Sequence, residues 1–209
     1  AGEIAAHLAD RRGERLRRSV LDMQESFSVI DRCRVPVIAA VQGACIGGGV
    51  DLISACDIRL CSADAYFRIQ EINIGMAADV GTLQRLPHLM PAGLVRELAY
   101  TGRPLSAEEA HAVGLVNSIH DDAEALLAAA MEMAADIAAK SPLAITGTKQ
   151  MLNYARDHSI DDGLNHIATW QAAMIQTEDV ARQIKANAAK TQAEFDDFLE
   201  TRKPATKGT

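Results

Sequence analysis

Apolar residues in the first 34 positions, Ile4, Leu8, Leu16, Val20, Leu21, Phe27, Val29 and Ile30, fall mostly on helical spacing. That spacing predicts an amphipathic helix, with Gly13 as an interruption. The pattern changes at Val35. Val35-Pro36-Val37-Ile38-Ala39-Ala40-Val41 shows no polar alternation, and a short run of β-branched and small apolar residues predicts a strand buried on both faces. Gly47, Gly48 and Gly49 follow, letting the backbone approach a ligand with no Cβ in the way, and residues 50–55 then turn helical. Residues 58–62 and 65–69 read as strands around the turn Ala63-Asp64. Residues 82–90 and 93–100 read as two short helices, the second closed by Gly102. Ser106-Ala107-Glu108-Glu109 is a capping box that opens another helix. Gly114-Leu115-Val116-Asn117 ends that helix and leads into a further short strand. This alternation of helix and strand implies right-handed crossovers and a largely parallel α/β arrangement.

From Asp122 onward the pattern is helical. Residues 123–140 carry an alanine- and methionine-rich face, Ser141-Pro142 is an N-cap followed by proline at the first helical position, and residues 161–176 are amphipathic. Thr191-Gln192-Ala193-Glu194 predicts a last helix over 191–200, before a polar tail. Two regions follow from this reading: an α/β core over 1–140 and a helical region over 141–209 that must bury its apolar stripes on something other than a sheet. Nothing before Val35 reads as a strand, although the first strand has the character of a central one. The expectation is therefore that N-terminal edge strands belong to a segment outside this chain.

Composition narrows the function. The 209 residues are 48% hydrophobic, enough for a substantial core, and carry a net charge of −7 with a pI near 5.3. That balance argues against a nucleic-acid surface, which needs a basic patch. Arg11-Arg12-Gly13-Glu14-Arg15-Leu16-Arg17-Arg18 could meet a phosphate, but Glu14 interrupts it and a solvated helix face is the plainer reading. No apolar run reaches the roughly 18 residues of a membrane span. Cysteines 33, 45, 56 and 61 form no Cys-x-x-Cys pair and stand in mostly apolar settings, which reads as reduced core thiols and predicts a cytoplasmic protein. The six histidines show no metal-ligand spacing.

Three carboxylates stand close to the glycines. Asp51 lies in the first turn after them, Glu71 follows the second strand-like run, and Asp79 sits in Ala77-Ala78-Asp79-Val80-Gly81 among small apolar neighbours. A carboxylate in such a setting is costly unless it is paired or functional. Plainer roles exist for each: a strand-end charge for Glu71, an N-cap for Asp79, complementation of the helix dipole for Asp51, and for Gly48 a close approach of helix and strand. Asp57 and Arg59, opposite charges at a strand start, read as structural groups that pair with neighbours.

At this point the residues resemble a family. Pro36-Val37-Ile38-Ala39-Ala40-Val41-Gln42-Gly43, then Gly47-Gly48-Gly49, then Cys56-Asp57-Ile58-Arg59 resemble the enoyl-CoA hydratase/isomerase (crotonase) superfamily. Gly49-Val50-Asp51-Leu52, Gln70-Glu71 and Ala77-Ala78-Asp79-Val80-Gly81-Thr82-Leu83-Gln84-Arg85-Leu86-Pro87 are most similar to isomerases that convert 3,5-dienoyl-CoA to 2,4-dienoyl-CoA. Ser141-Pro142, Arg156-Asp157-His158-Ser159 and Thr169-Trp170 extend the likeness over most of the chain.

The resemblance implies a spiral of ββα repeats with a C-terminal helical region that joins subunits into a homotrimer or homohexamer. It implies an acyl-CoA thioester as substrate, in fatty-acid β-oxidation, and no cofactor beyond the CoA carried by that substrate. By resemblance Gly48 donates one N–H of an oxyanion hole, Glu71 is the base at carbon 2, Asp79 the acid at carbon 6, and Asp51 sets their protonation. The other oxyanion N–H and much of the CoA contact would come from an N-terminal loop outside this chain. Competing readings are a 2-enoyl-CoA hydratase, for which the family has glutamate where Asp51 stands and no acid at Asp79, a dehalogenase-type member with Asp79 or Asp51 as nucleophile, and a catalytically idle or RNA-contacting crotonase-fold scaffold.

Overall fold

The computed structural model describes residues 2–198, with side chains from residue 11 onward. The first helix, α1 (Gly2–Asp31), runs through Gly13 without a break. Gly13 is exposed and a Cβ there would meet open space. Its cost is therefore only the propensity difference of about 1 kcal/mol, which a long helix absorbs.

Strand β1 (Ile38–Val41) is shorter than its apolar run. Pro36 has no N–H for a ladder, and the Val37 N–H donates to Asp57 Oδ2 at 2.7 Å. β1 is also not the doubly buried strand expected from its composition, since Ala40 is exposed. It lies at the edge of a parallel three-stranded sheet in the order β1-β3-β6, with β3 (Ile58–Ser62) in the centre and β6 (Ser118–His120) beyond it. The strand enclosed on both faces is β3, where Arg59, Leu60, Cys61 and Ser62 are all buried.

A second sheet pairs β2 (Ala44–Ile46) parallel with β4 (Tyr66–Arg68), and β4 antiparallel with β5 (Leu105–Ser106). β1 and β2 precede α2 (Gly48–Ser54), and β3 and β4 precede α3 (Thr82–Arg85) and α4 (Ala92–Thr101). Each ββα turn thus gives its first strand to one sheet and its second to the other. Val50, Ile53, Phe67, Leu86, Leu98 and Leu115 fill the core between these layers, each contributing about 1.5–3 kcal/mol by burial. α4 ends on Gly102 in left-handed backbone (φ 60°), and α5 (Ala107–Ala112) starts on Ser106, whose Oγ accepts from the Glu109 N–H at 3.2 Å.

The chain divides into two compact units, one up to Ala134 and one from Ala135 onward, with the boundary inside α6 (Ala123–Ala138). The second holds α7 (Pro142–Asp157), α8 (Ile160–Met174) and α9 (Thr177–Ala189). Ser141 and Ser159 cap α7 and α8 through their hydroxyls. Trp170 of α8 packs so tightly on Gly147 of α7 that any side chain there would collide with it. The helix expected from residue 191 is absent over 191–198, the part of it that is described. α9 takes its place earlier in the chain and stops at Lys190, which adopts left-handed backbone (φ 55°) while the Thr191 N–H closes back on the Ala186 carbonyl.

Candidate active site

Each glycine of the triplet has its own reason to be glycine. Gly47 has a positive φ of 54°, and a Cβ on it would lie 3.2 Å from Glu71 Oε1. Gly49 lies over Cys45, where a Cβ would come within 3.3 Å of the thiol sulfur. Gly48, the first residue of α2, faces open space, and among the described residues its N–H meets no acceptor. An N–H without an acceptor at that point can donate to an oxyanion. Burial pushes the Cys45 thiol up to about 12 and the Cys61 thiol, against whose ionisation Glu108 and Asp64 also act, up to about 11. Both are therefore neutral packing groups at physiological pH, not nucleophiles.

Asp51 is fully buried on α2. Its Oδ1 accepts two hydrogen bonds from Thr82, one from the main-chain N–H and one from the hydroxyl, both 2.7 Å. The carboxylate therefore caps α3, whose own preceding residue, Gly81, has no side chain for the task. Asp51 Oδ2 is buried and unpartnered among the described residues. A plain capping role leaves that oxygen unexplained, because a buried polar atom without a partner costs about 1–3 kcal/mol.

Glu71 opens a 3-10 turn (Glu71–Ile74) directly after β4 and its neighbours. Its Oε1 faces Gly47, while Oε2 is likewise buried without a partner among the described residues. Asp79 is no N-cap: it is half-buried in an irregular loop, two residues before Gly81. These contacts gather the predicted residues. Gly47 places Glu71 beside the start of α2, and Thr82 ties Asp51 to the segment that carries Asp79.

An apolar cleft of about 330 Å³ is lined by Ile69, Ile72, Ala77, Ala78, Leu83 and Val95 among others, so that Ile72 and Ala78, the sequence neighbours of Glu71 and Asp79, form part of its wall. Its walls suit a hydrocarbon chain, and Arg96 and Tyr100 are its polar lining residues. Asp57 and Arg59 are structural, as their spacing suggested. The Arg59 guanidinium is buried and donates to the carbonyls of Leu115 (2.6 Å), Cys56 (2.7 Å) and Ile53 (3.3 Å). Burial lowers its pKa, and the nearby Cys56 and Asp57 act the other way. The arginines from 11 to 18 lie exposed on α1, and Arg18 pairs with Glu14 one turn away. Among the described residues no group of three His, Cys, Asp or Glu side chains could hold a metal ion, and no helix is long and apolar enough to cross a membrane.

Two contributors escape the sequence reading, and a third, Gly47, is legible there only as part of the glycine run. Thr82 and Gln24 are polar residues whose partners lie 31 and 55 positions away, and Gly47 is set apart from its neighbours only by what it faces. For Gln24 a signal existed, the polar series Gln24, Ser28 and Asp31 at helical spacing on an otherwise amphipathic helix.

A family model described as enoyl-CoA hydratase/isomerase matches residues 6–207. The chain is 51% identical over 172 residues to the Delta(3,5)-Delta(2,4)-dienoyl-CoA isomerase, mitochondrial, of Homo sapiens, which spans 82% of this chain and 52% of that protein. It is 45% identical over 185 residues to the peroxisomal protein of the same name from Arabidopsis thaliana, covering 88% of this chain and 66% of that one. The chain thus spans about half the length of the human relative. The crystal structure of an enoyl-CoA hydratase from Bacillus anthracis matches with a TM-score of 0.82 at 30% identity, over 87% of this chain and 70% of that one. These relatives correct the expected cytoplasmic location, since the curated ones are named as mitochondrial or peroxisomal. Reduced, buried thiols do not tell one reducing compartment from another, so the cysteines could not carry that expectation. The likeness in structure bears out the crotonase-type fold, and the match over residues 6–207 shows that the chain belongs to the enoyl-CoA hydratase/isomerase family.

Proposed function

We propose that this protein is an isomerase that converts a 3,5-dienoyl-CoA to the 2,4-dienoyl-CoA, as the relatives named dienoyl-CoA isomerase suggest. The observation that carries the reading is the pair of buried, unpartnered carboxylate oxygens, Asp51 Oδ2 and Glu71 Oε2, beside the open Gly48 N–H. Glu71 removes a proton from carbon 2, and the electron pair spreads into the thioester carbonyl, whose oxygen takes a hydrogen bond from Gly48. Such a donor is worth about 3 kcal/mol in the transition state. Asp79, in its acid form, delivers a proton to carbon 6 as the double bonds settle at 2,3 and 4,5. Glu71 leaves the cycle protonated and Asp79 ionised, and exchange with water restores both. Asp51, anchored by Thr82, is the third charge that sets how the other two share protons. The apolar cleft takes the acyl chain. The chemistry asks for no cofactor beyond the CoA of the substrate, and the apolar surface of the second unit supports a homotrimer or homohexamer.

A second reading, 2-enoyl-CoA hydratase, draws on the Bacillus anthracis relative. The two part at Asp79, since adding water across a 2,3 double bond needs no acid at carbon 6. In deuterated water, Asp79→Asn should still exchange the carbon 2 hydrogen of a 3,5-dienoyl-CoA while forming little 2,4-diene, and Glu71→Gln should lose both activities. General acid–base groups contribute about 10²–10⁴-fold, so each loss stands clear of assay noise. Normal isomerisation by Asp79→Asn moves the hydratase reading ahead.

A further inference from the structure

Residues 77–80 carry Asp79 between two glycines of positive φ, Gly75 (78°) and Gly81 (134°), and form neither helix nor strand. Among the described residues a single hydrogen bond reaches this stretch: Gln24 Nε2 donates to the Asp79 carbonyl oxygen at 2.6 Å. Gln24 lies on α1. One turn further along, Ser28 Oγ accepts from Arg85 Nη2 at 3.0 Å, and Asp31 stands 4.0 Å from Arg85 Nε. Positions 24, 28 and 31 share one face of a helix. That face therefore grips the segment from Asp79 to Arg85 at both ends, by a main-chain carbonyl at one and a guanidinium at the other.

The bond from Gln24 goes to the main chain of Asp79, so it locates the residue without occupying either carboxylate oxygen. Both oxygens stay available for proton transfer. Glu71 rests on a different support, the 3-10 turn after β4 and the bare backbone of Gly47. The Gln24 bond thus holds the main chain of the acid and is none of the contacts that hold the base.

We infer that Gln24 is a positioning residue that holds Asp79 at the remote end of the dienolate, an inference that rests on the reading of Asp79 as proton donor. Loss of the tether acts on the second proton transfer alone. Removal of the carbon 2 proton and its return by Glu71 continue, while delivery to carbon 6 slows because the acid is no longer held in place.

Gln24→Met keeps the length of the side chain and removes its donor. The intact protein and this variant are given a 3,5-dienoyl-CoA in deuterated water, with carbon 2 deuterium followed by mass spectrometry and the 2,4-diene by absorbance. Exchange is expected to stay near the parent rate while diene formation falls about 10- to 100-fold, the scale of a misplacement of about 1 Å. Asp79→Asn runs alongside and should show the same partition in stronger form. If Asp79→Asn separates the two rates and Gln24→Met keeps the parent ratio, the inference fails while the proton-donor reading stands. If Asp79→Asn isomerises normally, the reading itself fails and the inference with it. A parallel fall of exchange and isomerisation in Gln24→Met, with a lowered thermal midpoint, marks a purely structural bond and also overturns the inference. Gln24→Asn, one methylene short of the carbonyl, carries the same test should Gln24→Met not fold, and failure of both to fold counts as the structural outcome.

Discussion

Proline fits the position of Gly48 better than its usual reputation inside a helix suggests. Gly48 is the first residue of α2, where proline's fixed φ is compatible with the helix and its missing N–H breaks no intrahelical bond. Open space lies where the ring would begin. Gly48→Pro should therefore delete one oxyanion donor and little else, lowering isomerase turnover by about 100-fold or more while the thermal midpoint stays near that of the parent. Near-normal turnover in a folded variant would remove Gly48 from the mechanism. The same residue shows what the sequence made legible. A triple glycine after an apolar run and three acids close behind it, one of them among small apolar neighbours, mark themselves, because each departs from what packing alone would choose. Thr82 and Gln24 do not, since a threonine at a helix start and a glutamine on a helix face are ordinary in composition. Only their distant partners, the Asp51 carboxylate and the Asp79 carbonyl, give them a role.

Between α4 and α5 a single arginine acts as a clamp. Arg103 donates to both oxygens of Glu109, at 2.9 and 2.7 Å, and to Glu97 at 2.7 Å. Glu109 is thereby taken out of the capping box that its spacing predicted: Ser106 caps its N–H, but its carboxylate turns to Arg103 instead of back to the cap. Hydrogen bonding to Arg103 holds the Glu109 carboxyl below the ordinary carboxylate value, outweighing its slight burial. A folded-state pKa that is depressed gives stability above the unfolded pKa and loses it as pH falls through the folded value. Arg103→Met should therefore lower the urea midpoint at neutral pH, and the gap to the parent should close below about pH 4, where the unfolded carboxylates are protonated. The groups are partly exposed, so added salt should also narrow the gap. A difference that stays constant from neutral to acid pH would assign the effect to lost packing. Legibility at this scale followed length and burial. β3 is read to the residue because four consecutive buried positions after Ile58 leave one solution. β2 escapes because three residues between Gly43 and Gly47 carry no period. The capping signal at Thr191 misleads because α9 has already closed through Lys190, and nothing in residues 191–194 alone reveals that.

At the scale of the whole molecule the two units bury very different shares of themselves. In the first, two sheets and their helices enclose a continuous core. In the second, α7 buries only Gly147 and Lys149, α9 only Ala186, and α8 no residue at all. Leu152, Ile160, Leu164 and Ile184 are each more than 60% exposed. Burying one such side chain is worth about 1.5–3 kcal/mol, so a few of them repeated around a symmetric assembly outweigh the cost of association. Closed rings of like subunits satisfy such surfaces without leaving an edge for further growth. Sedimentation of the protein should therefore show a trimer or a hexamer. Leu164→Asp together with Ile184→Asp, which places charges on the exposed apolar surface, should shift the population toward smaller species, with lower turnover if neighbouring subunits support the site. Removal of residues 141–209 should leave aggregated material, because the first unit would then lose whatever its partner surfaces supply. A well-behaved monomer of that truncated form with full isomerase activity would defeat the argument, since the helices after residue 140 would then be dispensable for both assembly and catalysis.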